Sequence, residues 1–161
     1  MNKKILIVVA LLMVVCVGGA FAWGIGIQGG GGYPPFGGAA LTFKLDSVPL
    51  VFATNFNFGN NGFGIGLTGD YWFLNDNIVG PLNWFIGAGA GISLGGFDDN
   101  FILGLEGRLP IGLNMYLVDG FIEPYLQVVP SVRLNILPRI GGSFPEDFLG
   151  FAANLGIRFW F

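Results

Sequence analysis

The sequence predicts an all-β protein, an eight-stranded antiparallel transmembrane β-barrel connected as an up-and-down meander. Three observations predict this fold class. Apolar residues alternate with small or polar residues along most of the chain, which is the two-residue period of a strand. Glycine accounts for 29 of the 161 residues, and glycine at this density disfavours helices. Apolar residues make up 53% of the chain and charged residues only 11%, a composition that suits a protein in lipid.

Before the first strand, residues 1–22 have the pattern of a secretory signal peptide. The basic stretch "MNKK" is followed by an uninterrupted apolar run at 5–17 and by the small residues of "AFA", ahead of an expected cleavage before Trp23. The apolar run is too short for an ordinary spanning helix. Residues 23–161 are therefore expected to form a single barrel domain.

The chain's single cysteine, Cys16, lies in this N-terminal segment. A lipoprotein modified at Cys16 is the weaker alternative, because Met13, Val14 and Val15 do not supply the small residue expected before such a cysteine. Cleavage would remove the thiol, so the mature chain could form no internal disulfide. The mature chain keeps Lys44 and four arginines against ten acidic residues. This acidic balance argues against nucleic acid as a partner.

Eight segments of the mature chain carry the alternation and are predicted to be strands. In order along the chain they span 23–29, 39–46, 50–58, 63–74, 83–94, 101–117, 121–135 and 148–161. Each has one apolar face, such as Leu41, Phe43 and Leu45 of the second segment, and one small or polar face, such as Thr42 and Lys44. The connecting sequences "DSVP", "GNNG", "GGFDDN" and "VDG" have the composition of turns.

The fifth to seventh segments add two details. In the fifth, Gly87, Gly89 and Gly91 alternate strictly with apolar residues, so the segment is predicted to be a strand and not a spanning helix. Prolines at 110, 124 and 130 interrupt the sixth and seventh segments, and each removes one N–H group from the hydrogen-bonded ladder. We expect bulges at these prolines, or a local opening of the barrel wall.

The charged residues of the strands indicate which face points at lipid. None lies on an apolar face, and all lie on the face rich in glycine and asparagine. They are Lys44, Asp70, Glu106, Arg108, Glu123, Arg133 and Arg158. On a soluble barrel that face would form a surface almost without side chains, whereas inside a narrow barrel the glycines make room for long charged neighbours. We therefore expect a polar lumen and a lipid-facing exterior.

The inward charges are expected to form ion pairs, because buried charges require partners. A two-residue turn at Asp119 and Gly120 would set the register of the sixth and seventh strands. The expected pairs are Glu106 with Arg133, Lys44 with Asp70, and Glu123 with Arg158. The same register places Arg108 opposite Ser131, Asn114 opposite Tyr125, and Tyr116 opposite Glu123.

An even number of strands places both termini on the same side, expected to be the periplasm. The connections 46–49, 75–82 and 118–120 would then face the periplasm, and loops 30–38, 59–62, 95–100 and 136–147 the exterior. Aromatic residues gather at both expected interfaces, as a bilayer selects. The predicted girdle consists of Trp23, Tyr71 and Trp84 at the periplasmic rim and Phe58 and Phe63 at the outer rim. The alternative is that these aromatics form the core of a soluble sandwich.

No motif in the chain predicts catalysis, a cofactor or a metal. "GIGIQG" at 24–29 and "GIGLTG" at 64–69 fit the dinucleotide fingerprint, but that fingerprint needs a helix to start at its glycines. Histidine is absent from the chain, which excludes a Ser-His pair and a histidine ligand. The acidic pairs at 98–99 and 146–147 could hold calcium loosely, but solvated loop charge is the better interpretation because further oxygen ligands are missing.

The last segment carries a family resemblance. The chain ends "IRFWF", with Leu155, Ile157, Phe159 and Phe161 on one face. Together with the signal peptide and the strands of period two, this pattern resembles the small eight-stranded outer-membrane barrels of the OmpA, OmpX and OmpW type. The resemblance implies that these four residues are the signal read by the barrel-assembly machinery. It also implies a monomer in outer-membrane lipid of a diderm bacterium, with outer loops available to an unknown surface ligand.

Three functions from different classes remain open on the sequence. The first is a structural or surface-interaction barrel whose lumen is plugged by inward ion pairs. The second is a narrow channel for small or apolar solutes, which the glycine-lined wall and the proline interruptions favour. The third is a membrane enzyme, which the missing histidine disfavours.

Overall fold

The protein is described by a computed structural model that covers residues 22–33, 37–59, 62–97, 100–135 and 148–161. Residues 1–21 of the predicted signal peptide lie outside the described residues, as do the acidic pairs at 98–99 and 146–147. Among the described residues, no helix is long and apolar enough to cross a membrane. The described residues form strands joined by turns.

Nine strands follow one another along the described chain. They are β1 (Trp23–Tyr33), β2 (Gly37–Leu45), β3 (Leu50–Gly59), β4 (Gly62–Val79), β5 (Leu82–Phe97), β6 (Asn100–Arg108), β7 (Ile111–Met115), β8 (Ile122–Asn135) and β9 (Leu149–Trp160). They correspond in order to the eight predicted segments, with the sixth segment divided into β6 and β7.

The strands close into a ring with eight positions. β6 and β7 both pair with β5 on one side and with β8 on the other, so together they occupy the sixth position. The ring is closed by the pairing of β1 with β9 and of β4 with β5, and every pair is antiparallel. The predicted all-β antiparallel meander of eight strands is therefore confirmed.

The barrel has two distinct ends. The chain ends of β1 and β9 lie at the same end as the short turns 46–49, 80–81 and 118–121, and we call this the terminal end. Trp23 and Phe161 exchange both backbone hydrogen bonds there, at 3.1 and 2.9 Å. We call the other end the loop end; the strand ends that meet there are those of β1 and β2, β3 and β4, β5 and β6, and β8 and β9.

The two faces of the wall differ as the alternation predicts. On β8, Leu126 is 52% exposed and faces outwards, whereas its neighbour Gln127 is only 5% exposed and faces the lumen. Ile27 and Gln28 on β1 show the same contrast. An apolar exterior around a polar interior reverses the arrangement of a soluble barrel and matches a barrel surrounded by lipid.

The expectation of bulges at the prolines is wrong, although one interruption occurs there. Leu109 and Pro110 separate β6 from β7, but the pairing register with β5 and β8 is the same on both sides of the break. Leu109 still donates a hydrogen bond to the carbonyl of Pro130 at 3.0 Å, and the carbonyl of Pro110 accepts one from Gly87 at 2.8 Å. Pro124 and Pro130 lie within the uninterrupted β8.

Register shifts occur instead on β4, where the sequence signalled none. One lies between Trp72 and Leu74 and another between Asn77 and Val79, each adding one residue to β4 relative to β5. The predicted turn 75–82 is accordingly shorter than expected, because β4 continues to Val79 and only Gly80 and Pro81 separate it from β5. Strand β1 likewise extends to Tyr33, into the predicted loop 30–38.

The turn between β7 and β8 has the predicted two central residues. Asp119 and Gly120 have φ values of 53° and 88°, and Phe121 donates to the carbonyl of Val118 at 3.0 Å, which are features of a type I′ turn. Val118 itself has a φ of 54°. A β-branched residue in this left-handed region is strained, because its Cβ crowds the following carbonyl.

Replacing this valine should stabilise the barrel. Asn tolerates the left-handed region, so Val118→Asn should raise the free energy of unfolding by about 1 kcal/mol. Urea unfolding of the protein in lipid vesicles measures the change. Val79→Asn is the matched control, since Val79 is 67% exposed against 68% for Val118 and has no positive φ. Equal effects of the two substitutions would contradict strain at Val118.

Candidate functional site: the polar lumen

The carboxylate of Glu123 is the centre of a buried cluster near the terminal end. Its Oε1 atom accepts a hydrogen bond from Asn114 at 2.9 Å and lies 3.4 Å from the ammonium of Lys44. Its Oε2 atom accepts from Arg158 at 2.7 Å and from the indole of Trp160 at 2.9 Å. Glu123 is 0% exposed and Arg158 is 1% exposed. We call these five residues the Glu123 cluster.

The Glu123 cluster contains two cations and one carboxylate, and aromatic rings surround the cations. The ammonium of Lys44 lies 4.2 Å from the ring centroid of Trp72, and the guanidinium of Arg158 lies 4.2 Å from that of Tyr125. Trp72 in turn stacks on Phe85, with ring centroids 3.7 Å apart and planes 8° from parallel. The ring faces stabilise the positive charge that a single carboxylate does not balance.

A second group of charges lies further towards the loop end. The guanidinium of Arg108 contacts Asp70 at 2.9 Å and Glu106 at 3.1 Å, and Arg133 contacts the other oxygen of Glu106 at 3.4 Å. We call these four residues the Glu106 cluster. Asp70 and Arg108 are buried, whereas the side chains of Glu106 and Arg133 are 20% and 30% exposed. The charges of this cluster balance one another.

The structure places the seven predicted lumen charges in these two clusters, with one correction. Glu106 lies opposite Arg133, as the register set by the Asp119–Gly120 turn requires. The expected pair of Glu123 with Arg158 also forms, with the two residues opposite each other on β8 and β9. The predicted pair of Lys44 with Asp70 is not formed: Lys44 contacts Glu123, and Asp70 contacts Arg108. Lys44 and Asp70 do share a level through Val51. Asp70 instead contacts Arg108, with which it shares a level through Gly89, and Lys44 reaches Glu123 across the lumen.

Glycines create the space that the large inward side chains occupy. A Cβ at Gly91 would lie 2.9 Å from Cγ of Glu106, and a Cβ at Gly24 would lie 3.1 Å from the indole of Trp160. The same relation holds for several further pairs across neighbouring strands. They are Gly26 with Arg158, Gly87 with Trp72, Gly89 with Asp70, Gly112 with Phe85, and Gly156 with Tyr125. Any side chain at these glycines would displace its partner from the wall.

Packing differs between the two halves of the lumen. In the terminal half, the inward side chains are large and deeply buried. The largest of those less than 2% exposed are Arg158, Phe85, Glu123, Asn114, Thr42 and Pro110. In the loop half, the inward residues are mostly glycine, alanine and asparagine. Ser93 is exposed there, and Asn55 and Asn154 are partly exposed.

Sequence reasoning missed the aromatic residues of the lumen. Trp72 and Phe85 lie on the same face as Asp70 and Gly87 respectively, so the two-residue period could have identified both as inward. Trp160 likewise alternates with outward aromatics, and it donates to Glu123. The predicted set of lumen residues contained only charged residues, whereas the strand period alone gives the side on which these three aromatic residues lie.

The remaining predicted residues lie on the outside of the barrel. Of the four C-terminal residues, Leu155 and Phe161 are 65% and 61% exposed, and Ile157 and Phe159 are partly exposed. The ring of Phe161 lies 5.1 Å from that of Trp23 and 5.8 Å from that of Phe121. The contact with Trp23 links the end of β9 to the start of β1. In the predicted girdle, Phe58, Phe63 and Tyr71 are exposed, and Trp23 and Trp84 are partly exposed.

The glycine motifs and a possible metal site were also considered from the sequence. The glycine motifs at 24–29 and 64–69 lie within β1 and β4, in extended backbone and not at the start of a helix. Within the described ranges, no three acidic, cysteine or histidine side chains come together as a possible metal site.

The Glu123 cluster should contribute more stability than the Glu106 cluster. Glu123→Gln leaves Lys44 and Arg158 buried without a carboxylate, so we expect the free energy of unfolding to fall by about 3–5 kcal/mol. Glu106→Gln is the matched control. In that variant Arg108 keeps its contact with Asp70, and Arg133 is 30% exposed to solvent, so the substitution should cost only about 1 kcal/mol. Urea unfolding in vesicles measures both, and equal losses would show that Glu123 is not a buried centre of charge pairing.

Comparisons with known proteins identify the fold. No protein-family model matches the chain, and no curated protein matches its sequence. Solved structures do match. Neisserial surface protein A is 12% identical, with 86% of this chain and 96% of that chain covered and a TM-score of 0.52. The N-terminal β-barrel domain of Pseudomonas aeruginosa OprF is 14% identical, with 87% and 97% covered and a TM-score of 0.54.

A third structure gives a weaker likeness. The outer-membrane enzyme PagL is 14% identical, with 84% of this chain and 98% of that chain covered and a TM-score of 0.47. The first two likenesses extend over nearly the whole described chain. This chain therefore has the fold of the small eight-stranded outer-membrane β-barrels.

Proposed function

We propose that the protein is an integral outer-membrane barrel with a structural or surface-interaction role, whose lumen does not conduct. The observation that carries this proposal is the dense packing of the terminal half. One inward side chain from each of β2, β5, β7, β8 and β9 is less than 2% exposed there, which supports a lumen without a continuous water path. The apolar exterior of the ring supports residence in lipid.

The proposed orientation places the terminal end in the periplasm. Short turns, the start of β1 and the end of β9 lie at the terminal end, whereas β8 ends and β9 begins at the loop end, with residues 136–148 between them in the sequence. Short periplasmic turns and longer external loops are typical of such barrels. The predicted cleavage before Trp23 supports this placement, since β1 begins at that residue. The open half of the lumen would then face the exterior of the cell.

We further propose that the protein is monomeric and not an enzyme. Among the nine described strands, the closed ring leaves no edge strand for another copy to join. The chain contains no histidine, and both oxygens of the buried carboxylate of Glu123 are engaged by neighbouring donors. A carboxylate held in this way stabilises charges already present in the protein and has no access to a substrate.

The alternative is a narrow channel for small or apolar solutes. One observation favours it: the glycine-rich inner wall of the loop half, from Gly64 and Gly66 of β4 to Gly104 of β6, offers little side-chain obstruction. Conduction would require the side chains of the terminal half to move aside.

Planar-bilayer recording tests the closed lumen. The wild-type protein should give no steady single-channel current, because stacked Trp72 and Phe85 and the Glu123 cluster fill the terminal half. The double change of Trp72→Ala with Phe85→Ala removes the stack and should open a measurable conductance. The control is Asn55→Ala with Asn57→Ala, which alters only the open half and should remain silent. Steady current through the wild type would establish the channel instead.

The outward face of β9 is proposed to contact the assembly machinery. Leu155, Ile157, Phe159 and Phe161 form a continuous apolar row on this last strand, accessible from the side of the barrel. Such a row can be recognised before the ring closes, since closure requires β9 to pair with β1.

Deletion of Phe161 tests this contact. We expect the yield of protein in the outer membrane to fall several-fold while export to the periplasm continues, measured by cell fractionation. Phe121→Ala is the control, because Phe121 packs against Phe161 at 5.8 Å but lies outside the last strand. A similar fall for both variants, matched by poor refolding into vesicles, would indicate lost packing and not lost recognition.

A further inference from the structure

We propose that the open half of the lumen binds a small hydrophilic anion at Arg133. This open half, which we call the cup, is bounded by inward Asn55, Asn57, Ser93 and Asn154 and floored by Glu106 and Arg133. The proposal deepens the proposed surface-interaction role and rests on the closed terminal half, since the closed half gives the cup a floor.

The solvent exposure of the inward residues of β8 rises from Ser131 to Arg133, and this rise marks the floor of the cup. Ser131 is 8% exposed, whereas the side chain of Arg133, two residues further towards the loop end, is 30% exposed. Both residues face the lumen. Arg133 is therefore the first cation that a solute entering from the loop end meets among the described residues.

The contacts of Arg133 leave part of its guanidinium available. Its Nε atom faces Glu106 at 3.4 Å, the longest of the contacts within the Glu106 cluster. Glu106 and Asp70 are both already paired with Arg108, at 3.1 and 2.9 Å. The terminal nitrogens of Arg133 make no hydrogen bond to the described residues, so they present a planar pair of donors to the cup. Such a fork matches carboxylate and phosphate oxygens.

Gly150 positions this guanidinium. A Cβ at Gly150 would lie 2.9 Å from Nε of Arg133 and 2.6 Å from the hydroxyl oxygen of Ser131. The glycine therefore lets Arg133 lie against the wall beside that hydroxyl, instead of crossing the cup and filling it. The hydroxyl adds a further donor close to the guanidinium.

The lining of the cup sets the chemical class of the ligand. Apart from the carboxylate of Glu106, the described inward side chains of the cup are amides, hydroxyls, glycine and alanine, which offer hydrogen bonds and little apolar surface. An acyl chain would gain little in such a site. A water-soluble molecule with one carboxylate or phosphate group and several hydroxyls, such as a sugar acid, can use both the fork of Arg133 and the amides.

The test is calorimetric titration of the purified full barrel in detergent micelles with inorganic phosphate and with glucuronate. Sodium chloride keeps the ionic strength constant, so that non-specific screening does not change during the titration. The wild type should bind with saturation, and glucuronate more tightly than phosphate. Arg133→Gln should weaken binding roughly tenfold or more, the loss expected for a charge-assisted hydrogen bond. Arg133→Lys should weaken it less, because the charge remains.

Glu106→Gln is a control that should change the affinity for the anion in the opposite direction. Removing this carboxylate frees Arg133 and lowers the negative charge at the floor, so binding should become tighter. Migration of unboiled samples on detergent gels checks that each variant is folded. Absence of saturable binding to the wild type, or equal binding by folded Arg133→Gln, would overturn the anion site. A silent bilayer with no anion binding would overturn this inference alone, whereas steady conductance would overturn the closed lumen on which it rests.

Discussion

The buried carboxylate of Glu123 is the constraint on which the rest of the lumen depends. It accepts from β7 and β9 and contacts the ammonium of Lys44 on β2, which is not a neighbour of β8 in the ring. A carboxylate removed from water costs several kcal/mol unless donors replace its hydration. Four donors do so here, and by doing so they fix the positions of strands that share no ladder.

Glycines make room for the large side chains of this charge network. A ring of eight strands encloses only enough space for its own side chains, so each long inward residue requires a neighbour with none. Gly26 beside Arg158 and Gly156 beside Tyr125 meet this requirement within the Glu123 cluster and its aromatic shell. The high glycine content is thus a packing requirement of the charged lumen. It is not a sign of a flexible chain.

Much of this arrangement follows from the sequence, because a strand has a period of two. That period places Lys44, Glu106, Glu123 and Arg158 inside, and the Asp119–Gly120 turn sets Glu106 opposite Arg133. The choice of Glu123 as the partner of Lys44 does not follow, because a contact across the lumen depends on the curvature of the whole ring. The register shifts on β4 were equally hidden, since no proline or turn residue marks Trp72.

Two prolines give β8 fewer backbone hydrogen bonds on one side than on the other. Alternate residues of a strand direct their backbone groups to the same side, and the carbonyl of Pro130 points to Leu109, so Pro124 and Pro130 both lack a donor towards the sixth position. The ladder from β8 to β9 has no such gap. β8 is therefore more completely hydrogen-bonded to β9 than to the sixth position. We expect amide protons along the seam beside Pro110 to exchange more readily than those between β8 and β9.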